Sequence, residues 1–181
     1  SSTNSGTLWE AFRWDAVNGM MALGDLPGGV FNSHALAVSV DGRIVVGTGA
    51  GVAAREAFRW EAATGMLSLG SLPGGALSSV ANAVSADGNA IAGSATVLDP
   101  VSGAAAQHAF LWTPGQGMLR LADLLAGLNA DLAGLRLETA TGISADGLTI
   151  VGSGANAAGQ QQESHPVRNL LDAVCVRRER G

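Results

Sequence analysis

Three aspartates recur in one setting: Asp41, Asp87 and Asp146 each stand third in a Ser-x-Asp-Gly run. A carboxylate repeated at a turn could ligate calcium, which takes carboxylate and carbonyl oxygens. One carboxylate per turn is far from an oxygen cage, however. The simpler reading is local, because short polar side chains satisfy backbone groups of their own turn. Nucleophilic catalysis would need a base, and only His34, His108 and His165 are present to serve. His34 fills the slot of Val80 in the next repeat, and His108 fills that of Glu56, so both read as variation at repeat positions. No Gly-x-Ser-x-Gly elbow, phosphate loop or His-Glu-x-x-His occurs. The single cysteine, Cys175, excludes an internal disulfide framework and a zinc cluster. No catalytic, cofactor-binding or metal-ligating residue is assigned, and no cofactor is expected.

The aromatic residues also form a set: Phe12 and Trp14, Phe58 and Trp60, Phe110 and Trp112. They could be a carbohydrate platform. Strict recurrence favours packing between adjacent repeats instead. Trp9 lies outside this set and is, of the tryptophans, the one expected to be exposed.

Behind these residues lies an internal repeat of roughly 46 residues. Glu10-Ala11-Phe12-Arg13-Trp14 returns as Glu56-Ala57-Phe58-Arg59-Trp60 and as His108-Ala109-Phe110-Leu111-Trp112. A Gly-Met pair follows each tryptophan, then Leu-Pro-Gly-Gly (26–29 and 72–75), then Ser-x-Asp-Gly. Residues 10–49 and 56–95 share 22 of 40 positions without a gap. The third unit fits after two insertions.

Each unit predicts four short strands, placed in the first unit at 10–14, 20–23, 35–38 and 44–46. The third of these, small and apolar, reads as a buried inner strand. Asp41-Gly42 reads as a tight primed hairpin turn. Four strands per unit with an aromatic signature is the arithmetic of a propeller blade, with a solenoid as the alternative. In the third unit, leucines at 121, 124, 125, 128 and 132 predict a helical insertion over about 121–137. The expectation is an all-β, partial β-propeller of about three four-stranded blades. Repeats span 10–55, 56–107 and 108–160, after the end of a truncated unit at 1–9. Three blades are too few to close a ring, and open strand edges invite self-association.

Composition narrows the function classes. Hydrophobic residues make up 47% and charged residues 14%, which excludes a disordered chain. Net charge is −5, with no lysine and no basic stripe before the final residues, which disfavours nucleic acid as a partner. No apolar stretch is long enough for a membrane span.

The pieces [EH]-A-F-x-W, G-M-x-x-L-G-x-L-P-G-G and A-V-S-x-D-G-x-x-[IV]-x-G resemble the HAF-repeat family of extracellular bacterial proteins. The resemblance covers about residues 1–160. It implies export to the extracellular space or cell surface and a propeller-like fold, without a biochemical role. The Ser-x-Asp-Gly turns are also similar to the Asp-box turns of sialidase-like propellers. Those enzymes use a tyrosine nucleophile, and this chain has no tyrosine. Arg13 and Arg59 match each other, but Leu111 replaces them in the third unit.

Two functional readings follow. One is a non-catalytic scaffold or binding module of a secreted or surface repeat protein. Its partner would be an unknown protein or glycan, met through the segments 27–34, 73–80 and 96–107, where the units differ most. The other is a fragment of a secreted hydrolase whose catalytic residues lie outside the chain. After Gln160 the pattern demands another Glu-Ala-aromatic strand, but residues 161–181 diverge into an irregular or helical, Arg-rich tail. A shifted reading frame and a natural divergent tail both account for it.

Overall fold

Short alternating segments separated by Asp-Gly and Pro-Gly-Gly can bury side chains only as hairpins, and hairpins need sheets stacked against them. The computed structural model, which describes residues 8–98, 103–132, 134–156 and 161–163, has that architecture. Its strands are β1 (Phe12–Asp15), β2 (Gly19–Ala22), β3 (Ser33–Val38), β4 (Ile44–Ala50), β5 (Arg55–Glu61), β6 (Gly65–Ser68) and β7 (Ala76–Val84). They continue as β8 (Ile91–Leu98), β9 (Ala105–Thr113) and β10 (Gly117–Arg120). After the helix α1 (Leu121–Gly127) come β11 (Arg136–Ile143), β12 (Ile150–Ala155) and β13 (Gln161–Glu163).

β3 to β6 form one four-stranded antiparallel meander and β7 to β10 another. A single parallel bridge, Arg55 to Ser78, joins them. β1 and β2 form a separate hairpin, and β11 to β13 a three-stranded sheet. The four strands expected of each unit are present, but a unit is not a sheet. Its first two strands pair with each other, while its last two pair with the first strand of the next unit. The repeat over 10–55 is thus divided between β1–β2 and β3–β4. Connection length explains the division. Residues 51–54 fold the chain straight back into a hairpin, whereas the longer link around Leu26-Pro27-Gly28-Gly29 carries it to a new sheet.

Alternation along each strand sends side chains to two different interfaces. From β4, Val45 joins Ala11, Leu23, Leu26, Phe58, Trp60 and Met66 in a buried layer against β1–β2. Ile44 and Val46 face the other way, into a layer with Leu72, Ile91 and Phe110. A third layer holds Ala92, Leu111, Leu121, Leu125, Ala140 and Ile150. The aromatic pair of each sheet therefore points back toward the sheet before it. Phe58 and Phe110 are fully buried and Trp60 nearly so, as their recurrence implies.

Four expectations need correction. Phe12 and Trp14 are 59% and 63% exposed, because among the described residues no sheet stacks on that face of β1. For the same reason β3 is not a buried inner strand, and its Leu36 and Val38 are more than half exposed. Asp41-Gly42 is not a two-residue primed turn. The Gly42 N–H donates to the Ser39 carbonyl and the Ser39 N–H to the Ile44 carbonyl, so residues 40–43 form the loop. Only Gly42 has positive φ, at 71°, as in three- to five-residue hairpin loops with one left-handed glycine. Finally, the helical insertion is one seven-residue helix ending at Gly127. Asn129, with φ of 57°, turns the chain out of it; Leu128 is partly exposed, and Leu132 packs beside the third layer from outside the helix.

In the divergent tail, Gln161–Glu163 pair with Ser153–Ala155 as a short third strand, at the register where another repeat strand belongs. The expected irregular or helical course of the remaining tail, with His165 and Cys175, lies outside the described residues.

Candidate binding surfaces

The Ser-x-Asp-Gly turns are the most regular polar feature, and their geometry is self-contained. Ser39 Oγ donates to Asp41 Oδ1 at 2.6 Å, and that oxygen also accepts the Arg43 N–H at 3.0 Å. Ser39 Oγ in turn accepts the Ile44 N–H at 3.0 Å. Ser85 with Asp87, and Ser144 with Asp146, repeat this arrangement. The serine hydroxyl, followed by the backbone N–H two residues on, holds each carboxyl below its ordinary range. Among the described residues no three His, Cys, Asp or Glu side chains gather where they could hold a metal ion. These aspartates serve their turns.

A second polar device was not read from the sequence. Ser33 and Ser79 are buried at equivalent positions at the start of β3 and β7. Ser33 Oγ accepts the Ala11 N–H at 3.0 Å and donates to the Gly24 carbonyl at 2.6 Å; Ser79 Oγ accepts the Ala57 N–H at 2.8 Å. Each serine clasps a hairpin to the following sheet. Its identical placement in the two aligned units was the available signal.

The antiparallel meanders, linked by a parallel bridge, divide the molecule into two ends. One end carries the repeated turns around Asp41, Asp87 and Asp146. The other carries the links β2–β3, β4–β5, β6–β7, β8–β9 and β10–β11, where the units differ. The segments 27–34, 73–80 and 96–107 lie at this variable end. They are not pure loops, since β3, β7, β8 and β9 take up parts of them, and 99–102 fall outside the described residues.

Two clefts open at the variable end. One, of about 660 Å³, lies between Gly28–Asn32 and Ala50–Arg55. Asn32 and Arg55 line it; the Asn32 Oδ1 is itself buried and has no hydrogen-bond partner among the described residues. The other, of about 320 Å³, lies between the starts of β9 and β11 and is lined by Gln107, His108, Ala122, Arg136 and Glu138. Arg136 pairs with Glu138 at 3.0 Å. Burial first, and then the Arg120 cation, holds the His108 imidazole below its ordinary range. Among the described residues, no serine, threonine or cysteine lines this cleft beside His108. His34 lies apart, its ring 5.8 Å from that of Trp9. Trp9 is exposed as expected, although Trp14 is more so.

No helix among the described residues is long and apolar enough to cross a membrane. No protein-family model matches the chain. No curated protein matches it either. Among solved structures, it is similar to TolB from Acinetobacter baumannii, a β-propeller protein, with a TM-score of 0.52 at 15% identity. The match covers 84% of this chain and 33% of the other, so the chain spans about a third of that protein's length. Stacked antiparallel sheets with one short helix are the architecture that this likeness supports.

Proposed function

We propose that the chain is a non-catalytic binding module, a three-repeat arc of a propeller-like bacterial surface or secreted protein of the HAF-repeat kind. One observation carries this reading: the shared Ser-x-Asp-Gly turns gather at one end of the sheets, and the links in which the units differ most gather at the other. A scaffold that holds variable links on rigid strands is how binding surfaces are commonly built. The cleft between Gly28–Asn32 and Ala50–Arg55 is the preferred contact. Asn32 and Arg55 are the polar side chains that line it, and hydroxyls or amides of a glycan or peptide would hydrogen-bond there. The extracellular location rests on the motif resemblance.

The test is binding of the labelled chain to an array of bacterial and host glycans, repeated with two variants. Asn32→Ala, at the variable end, should weaken the strongest signal at least tenfold. Arg43→Ala, at the turn end, should leave it within twofold. The reverse pattern would place binding at the other end and sink the reading. Turnover of fluorogenic glycosides or esters, abolished by His108→Gln, would make the chain an enzyme instead.

A further inference from the structure

The two outer half-sheets of this molecule are complementary halves of one sheet. The β1–β2 hairpin sits on β3 as β5–β6 sits on β7. The Ala11 N–H meets Ser33 Oγ as the Ala57 N–H meets Ser79 Oγ. The Leu23 N–H donates to the Ala11 carbonyl as that of Leu69 donates to Ala57, both at 2.9 Å. What β5 has and β1, among the described residues, lacks is a pair of strands on its other edge. β4 supplies β5 with seven residue pairs, setting Gly47 opposite Phe58 and Val45 opposite Trp60. β8 likewise sets Gly93 opposite Phe110 and Ile91 opposite Trp112.

The missing pair exists at the far side of the chain. β11–β12 is equivalent to β3–β4 and β7–β8, with Gly152 at the place of Gly47 and Gly93. In all three glycines an added Cβ would fall on the carbonyl oxygen of the preceding strand, at His34, Val80 and Thr139. Along β12, β13 covers only Ser153–Ala155, so Ile150–Gly152 present an edge with no strand against it among the described residues. In the repeat register those residues belong opposite Trp14, Arg13 and Phe12.

We infer that the edge of β1, with the exposed face of β3, is the docking site for the β11–β12 hairpin of a second copy of this chain. Docking would complete a four-stranded sheet β11–β12–β1–β2 across the two copies. Phe12, Trp14 and Met20, exposed here, would gain the cover that Phe58, Trp60 and Met66 already have. The groove of about 500 Å³ between β1 and β3, lined by Phe12, Trp14, Leu36 and Val38, would be filled. The first copy's β1 would displace the second copy's three-residue β13 from its β12. This inference does not depend on the binding reading above.

The test uses two variants at exposed positions. Trp14→Asp damages the β1 side, and Val151→Arg sets like charge opposite Arg13 on the β12 side. Matching far-UV and near-UV spectra would show that both are folded. In sedimentation at about 50 µM, the parent chain should run at twice its mass and each variant alone at its own mass. An equimolar mixture of the two should recover pairs, since one sound docking site remains. A parent chain that stays single at that concentration, or pairs indifferent to both variants, would overturn the inference. So would a mixture that stays single.

Discussion

Ser85 shows what a single buried hydroxyl does here. It donates to Asp87 and accepts the Ala90 N–H, so both partners of a turn depend on one oxygen. Ser85→Ala strands a buried N–H, and chemical denaturation should show a loss of about 1–3 kcal/mol. Asp87 should then titrate closer to its ordinary value, as carboxyl NMR would show. The folded state holds Asp41, Asp87 and Asp146 below their unfolded values. Their contribution is therefore present above about pH 4 and is lost as pH falls through the lowered folded values. His108 responds in the same direction, although its protonated form is the charged one. Its folded value lies below the ordinary 6.5, so its contribution is complete above that pH and declines as pH falls toward the folded value. His108→Gln should flatten the stability profile just below pH 6.5, while leaving the steeper fall below pH 4 in place.

At the scale of elements, the same residue type has different weight in different strands. Phe58 in β5 is fully buried, and Phe12, its equivalent in β1, is exposed. Phe58→Ala should cost about 3–5 kcal/mol by the usual measure of a core aromatic. Phe12→Ala should stay within about 0.5 kcal/mol when measured at nanomolar concentration, where any pairing of copies is absent. The helix offers a parallel contrast. Leu125, 1% exposed, anchors α1 to the third buried layer, and Leu125→Ala should cost about 2–5 kcal/mol. The helix replaces a Pro-Gly-Gly link, so its loss exposes the layer beneath it rather than unfolding an independent element.

Across the whole molecule, stability should be graded from the centre outward. β8 lies between β7 and β9, with buried layers on both faces. No residue of β1 or β2 is buried, and Phe12, Trp14, Met20 and Met21 are exposed. Native-state amide exchange should therefore be slowest in Ile91–Val97 and several orders faster in Phe12–Asp15 and Gly19–Ala22. Equal protection throughout would mean that the layers unfold as one unit. The interlayer bonds give the layers some coupling, through Thr48 Oγ1 to the Ser79 carbonyl and Asn82 Nδ2 to the Ala140 carbonyl.

The sequence by itself determined where the repeat strands lie, where the turns fall and the polar logic of the Ser-x-Asp-Gly corners, though not the type of the turn, because these depend on neighbours within a few residues. Alternation sets which side chains share a face, and Asp41 needs only Ser39 and Arg43 to be satisfied. It also determined that Phe58 and Phe110 would be core, since recurrence marks a contact every unit makes. Only the tertiary structure decided which strands share a sheet, because connection length and registry across chain-distant segments settle that. The exposure of Phe12 and Leu36 follows from what lies beside them in space, which no local pattern encodes. The gathering of every variable link at one end, and the match between β1–β2 and β11–β12, are likewise properties of how sheets stack.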